Sequence, residues 1–147
     1  MDSHYYHVDV TWDSDRKGTL TSPELPQAIQ VATPPEFPKG MPGIWSPEHY
    51  FTAAVSSCLM TTFLAIAEAS NLEFVSFNCA SKGKLEKIEG KFLMTEVLLE
   101  PMLILKNETD MAKAERILEK SEKACLISNS IKSTVSMKPT IAVAALV

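Results

Sequence analysis

Two cysteines far apart in the chain have neighbours that could support chemistry. Cys58 lies in the run Ser46-Pro47-Glu48-His49-Tyr50-Phe51-Thr52-Ala53-Ala54-Val55-Ser56-Ser57-Cys58-Leu59-Met60. Cys125 lies in Lys123-Ala124-Cys125-Leu126-Ile127-Ser128-Asn129-Ser130-Ile131. Thiols distant in sequence but close in space can run peroxide chemistry, in which one sulfur attacks and the other resolves. A buried cysteine is ordinarily a small hydrophobe. Cys79, sharing a strand face with Val75 and Phe77, is read that way. The other two differ by context: Ser56-Ser57 precedes Cys58 within a greasy helix, and Ser128-Asn129-Ser130 follows Cys125.

The attacking species is the thiolate. Apolar burial raises a thiol pKa, and the helix dipole acts only in the end turns, so a mid-helix Cys58 is expected to need a cation. The chain has two arginines. Arg116, beside Ile117, falls on the exposed face of its helix and reads as a solvated charge. Arg16 falls in a turn and could swing over a pocket. Glu48, in the first turn of the Cys58 helix, could hold a guanidinium fork to fork, or could simply favour the helix N-terminus. Ten helical residues separate Glu48 from Cys58, roughly 15 Å of axis. Either Arg16 spans that gap or the groups come from two subunits; the reading favours a dimer with shared sites.

Other chemistries find little support. His4, His7 and His49 form no HExxH and no zinc-like spacing with the cysteines. There is no P-loop, GxGxxG or GxSxG. A Cys–His hydrolase would need His49 beside Cys58, about 13 Å away along the helix. A fold that keeps its shape without the activity is the other rival.

The elements that must position these residues follow from pattern. The chain has 147 residues, 46% hydrophobic and 22% charged, with net charge -4. That fits a single domain over residues 1–147. It leaves no electrostatic footprint for nucleic acid or an anionic membrane. No signal peptide is visible, and the apolar stretch around Cys58 is too interrupted by Ser and Thr to read as a membrane span. Three cysteines without a CxxC suit a reducing cytoplasm.

Alternation from Tyr6 to Trp12 predicts a strand. Asp13 to Gly18 reads as a turn, and Gly18–Thr21 and Ala28–Ala32 as two more strands of a meander. Residues 33–43, with four prolines and two glycines, read as an ordered loop. Ser46-Pro47 opens a helix to about Ala69, with Asn71 as its stop. Its apolar residues face nearly every direction, which predicts packing on several sides. Phe74–Leu85 and Phe92–Leu105 predict a hairpin joined by Glu86 to Gly90, with Pro101 at a bulge or edge. Thr109-Asp110 is expected to cap a second helix through Ala124. Its face Met111, Ala114, Leu118, Ser121 and Cys125 is the buried one. Residues 132–147 finish as strand with a break near Pro139. The class is α+β.

The words Ser46-Pro47-Glu48 with Cys58 ten residues beyond the Glu, and Cys125-Leu126-Ile127-Ser128 near the end, resemble the OsmC/Ohr family, the osmotically inducible and organic-hydroperoxide-resistance proteins. The order of elements fits over nearly the whole chain. The resemblance implies an OsmC-like fold, an intertwined homodimer and a thiol peroxidase for organic hydroperoxides. It implies that Cys58 is peroxidatic, Cys125 resolving, and that Glu48 holds Arg16 against the thiolate. The turn at Asp13 to Gly18 departs from the family's glycine-rich turn, so Lys17 stands as an alternative cation. A lipoyl-type dithiol is the implied reductant, and no metal or bound cofactor is implied.

Overall fold

The computed structural model describes residues 2–145. Two compact units meet in sequence between Tyr50 and Phe51.

The first unit holds a three-stranded antiparallel meander, β1 (Asp9–Ser14), β2 (Lys17–Ser22) and β3 (Leu25–Ala32), in that spatial order. The first strand starts at Asp9 rather than Tyr6 because its partner ends at Ser22, before Pro23. Tyr6 to Val8 therefore have no ladder to join. The turn between β1 and β2 shrinks to Asp15 and Arg16. Asp15 takes φ 49°, a left-handed position that Asp tolerates better than most residues. Trp12 Nε1 donates to Asp15 O at 3.1 Å across it.

The proline-rich segment 33–43 is ordered by its own backbone. Phe37 N–H donates to Pro34 O, Gly40 N–H to Phe37 O, and Met41 N–H to Thr33 O. A Cβ on Gly40 would collide with the Pro34 carbonyl, so only glycine lets the loop close this tightly.

Helix α1 (Pro47–Ala69) begins in the first unit and continues into the second. It ends as expected at Asn71, which takes φ 55° while Leu72 N–H returns to Ala67 O. That is a Schellman closure with Asn in the left-handed position. Within the chain only one stripe of α1 is buried: Val55, Cys58, Leu59, Phe63 and Ala67. Met60 and Leu64 face outward. Packing on several sides is thus not supplied by this chain alone. The helix is long and apolar enough to cross a membrane by length and composition, but its buried stripe packs on the sheet as a core helix does.

The second unit is built on a long hairpin, β4 (Phe74–Ile88) and β5 (Lys91–Leu105). Its turn is only Glu89-Gly90, at φ 48° and 79°. Two left-handed residues suit the type I′ geometry that matches strand twist, so both strands run further than periodicity predicts. Two short strands, β6 (Thr134–Met137) and β7 (Thr140–Val143), lie parallel to β5 on its other edge. Strand β5 is therefore central. Pro101 marks neither bulge nor edge: it pairs in register with Cys79 and is fully buried. It is tolerated because β6 pairs with Glu96 to Leu99 and β7 with Met102 to Leu105, leaving Pro101 at the break. Leu99 O accepts from Lys138 N–H on that side. Two residues on, the ring nitrogen of Pro101 faces the same gap, where no donor is needed.

Helix α2 (Met111–Ala124) buries Ala114, Ile117, Leu118 and Ser121. Neither Thr109 nor Asp110 caps it through a side chain, as the sequence suggested; a 3-10 turn over Glu108–Asp110 leads into it instead. Phe63 anchors the larger core cluster, with Leu103, Leu105 and Leu118. Its ring lies 4.9 Å from Phe77 and 5.3 Å from Phe74. Val55, Leu59, Val97 and Leu99 form the second cluster.

Candidate active site

The thiols of Cys58 and Cys125 are brought together in the second unit, and both are free. Cys58 gets there because it lies on the buried stripe of α1. Cys125 gets there because α2 stops one residue before it. Cys125 turns extended, at φ -62° and ψ 110°, and the chain folds back through a tight turn. The polar cluster after the helix builds that turn. Asn129 Nδ2 donates to Lys123 O at 3.0 Å, capping α2, and Asn129 N–H donates to Cys125 O at 3.1 Å. Ser130 Oγ donates to Leu126 O at 2.7 Å.

The two thiols are not equivalent. Burial pushes the Cys58 thiol up. Against it stand hydrogen-bonding interactions with the Cys125 thiol, the Ile127 backbone, the Thr62 hydroxyl and the Leu126 backbone, and the net shift is downward. Thr62 Oγ1 lies 3.9 Å from Cys58 Sγ, one helical turn away. Cys125 moves the opposite way: burial raises it, and the neighbouring Cys58 sulfur raises it further, only partly offset by Ser128. Ser128 Oγ donates to Cys125 Sγ at 3.3 Å. Hydrogen bonds to the charged form favour that form. Of the two, Cys58 is the thiol that ionises more readily.

The sequence pointed to a cation for this task. None is among the groups that lower Cys58; two backbone amides stand there instead. Amides carry no residue signature, and the one clue to them was the Ser128-Asn129-Ser130 cluster. Ser56 and Ser57, singled out beside Cys58, bond to their own helix at Ala53 O and Ala54 O. Thr62 is the hydroxyl that reaches the sulfur. Cys79 stays apart, half-buried, its Sγ near Ala80 O and Ser81 Oγ; burial raises its pKa.

Arg16, Lys17 and Glu48 belong to the first unit. Arg16 is exposed at the β1–β2 turn and lines an open pocket of about 580 Å³ with Asp15, Lys39 and Met41. Lys17 is half-buried at the start of β2. Glu48 is half-buried in the first turn of α1. Ser46 caps that turn as expected, its Oγ accepting from His49 N–H at 3.2 Å.

The OsmC-like protein family model matches residues 40–140. The chain belongs to the OsmC-like family. YmaD of Bacillus subtilis (strain 168) is 27% identical over 146 residues, covering 94% of this chain and 93% of that protein. Among solved structures, an OsmC-like protein of unknown function from Vibrio cholerae superposes with TM-score 0.84 at 24% identity, covering 93% of this chain and 99% of that one. The organic hydroperoxide resistance protein OhrB of Bacillus subtilis gives TM-score 0.68 at 20% identity, covering 94% and 98%. At such identities the OsmC-like architecture is shared. This OsmC-like chain carries both cysteines of the pair inside or beside the matched segment's helices.

Proposed function

We propose that this OsmC-like protein is a thiol peroxidase that reduces organic hydroperoxides to alcohols. The observation that carries the reading is the asymmetric pair of interacting thiols: Cys58 lowered and Cys125 raised, each acting on the other. Names of neighbours in the family, several called organic hydroperoxide resistance proteins, point the same way.

The Cys58 thiolate attacks the distal oxygen of ROOH. The O–O bond breaks, alkoxide leaves and takes a proton from solvent, and Cys58 becomes a sulfenic acid. That sulfur is now uncharged. The suppression of Cys125 by its neighbour is lifted at the moment Cys125 must attack. Cys125 then forms the S–S bond and water departs. A dithiol, of the lipoyl type in the family resemblance, restores both thiols by exchange. Glu48 holding Arg16, or Lys17 in its place, adds a cation to the amide donors.

The working unit in this reading is a homodimer of chains, each one domain over residues 1–147, in a reducing cytoplasm. Support for the dimer comes from uncovered apolar surface. Val10 is 67% and Trp12 75% exposed on β1, and Met60 and Leu64 are bare on α1. Each unit thus leaves apolar side chains that a partner chain could cover. The test is turnover of an alkyl hydroperoxide with dihydrolipoamide, compared between wild type and Cys58→Ser.

A further inference from the structure

Ser46 and His49 close a reciprocal pair at the start of α1. His49 N–H donates to Ser46 Oγ at 3.2 Å. In return Ser46 N–H donates to His49 Nδ1 at 3.2 Å, and Ser46 Oγ lies 2.6 Å from that same nitrogen. A ring nitrogen that accepts from a backbone N–H carries no proton. The hydrogen bonds therefore assign Ser46 Oγ–H as a second donor to Nδ1 and put the ring proton on Nε2. Capping boxes ordinarily place Glu or Gln three residues after the Ser. Here a histidine fills that role, with a rigid planar acceptor.

The cap is tied to the turn that carries Arg16. Ala32 N–H donates to Trp45 O at 2.9 Å, and Thr33 N–H donates to Arg16 O at 3.1 Å. Two consecutive residues at the end of β3 thus grip the residue before the cap and the β1–β2 turn. Tyr50 OH donates to Gln30 O at 2.5 Å, and the Trp45 ring lies 5.4 Å from Tyr50 and 6.0 Å from His49. Glu48 sits within this frame, between Pro47 and His49. The backbone of that first turn fixes the direction in which its side chain leaves the helix.

We propose that His49 is a positioning residue, which closes the Ser46 cap and so aims Glu48. The inference rests on the reading above, in which Glu48 holds the activating cation. The experiment compares hydroperoxide kcat/KM for wild type, H49A, H49Q, E48Q and H49A/E48Q, with alkylation of Cys58 by iodoacetamide alongside. H49A is expected to lose roughly fivefold in kcat/KM, the size of a lost cap, and alkylation of Cys58 is expected to slow with it, because the cation that Glu48 holds favours the thiolate. H49Q is expected to restore activity, because its side-chain oxygen accepts from Ser46 N–H. On the E48Q background H49A is expected to add nothing, because both changes remove one interaction. The inference is overturned by an active wild type with unaltered H49A, by H49Q no better than H49A, or by an H49A loss undiminished on E48Q. An inactive wild type overturns the peroxidase reading and this inference together.

Discussion

The Cys58 and Cys125 thiols interact with each other, and that one interaction helps lower the pKa of Cys58 while it helps raise that of Cys125. In the proposed mechanism this asymmetry makes Cys58 the attacker and Cys125 the resolver.

Removing the attacker should abolish the chemistry. Cys58→Ser is expected to consume hydroperoxide at roughly 1% of the wild-type rate or less, as loss of a nucleophile does. Cys125→Ser is expected to keep the first turnover and then stall as a sulfenic acid, which dimedone trapping and mass spectrometry would detect. A Cys58→Ser protein with full turnover contradicts the account.

The rate of the first step should follow the Cys58 thiolate. A lowered pKa means that reactivity climbs with pH and levels off earlier than for a free thiol. Cys125→Ala removes the first of the lowering interactions, so its profile is expected to move to higher pH. Each unit of movement corresponds to about 1.4 kcal/mol of lost thiolate stabilisation. Stopped-flow oxidation across pH 5 to 10 reads the shift. An unmoved profile would mean that the backbone amides alone set the pKa.

Ser128→Ala should separate the two steps. Its hydroxyl lowers Cys125 and does not touch Cys58. Sulfenic acid formation is expected to be unchanged, and disulfide formation slower by about two- to tenfold, the worth of one hydrogen bond. Equal slowing of both steps would point to a general disturbance of the turn.

Phe63→Ala tests the platform. The ring is fully buried between Phe74 and Phe77, and its loss is expected to cost about 3–5 kcal/mol. Urea unfolding with an unchanged m-value would measure it. A cost under about 1 kcal/mol would mean that the core collapses around the gap.

Much of this architecture was legible because its signals are local. Ser46-Pro47 and Asn71 mark the ends of α1, and alternation marks the strands. What was missed depends on pairing between distant segments. The strand at Tyr6 could not be trimmed to Asp9 without knowing that β2 stops before Pro23. Pro101 looked like an edge because the split between β6 and β7 lies nearly forty residues away in the chain. At the site, the two cysteines were visible as side chains. The amides of Leu126 and Ile127 were not, since any residue supplies an amide and only the fold aims it.

The most direct measurement of the central claim is a thiol count with peptide mapping after one equivalent of an organic hydroperoxide. The account predicts the loss of two thiols per chain, a Cys58–Cys125 disulfide and a free Cys79. Three intact thiols, or a disulfide that includes Cys79, would contradict it.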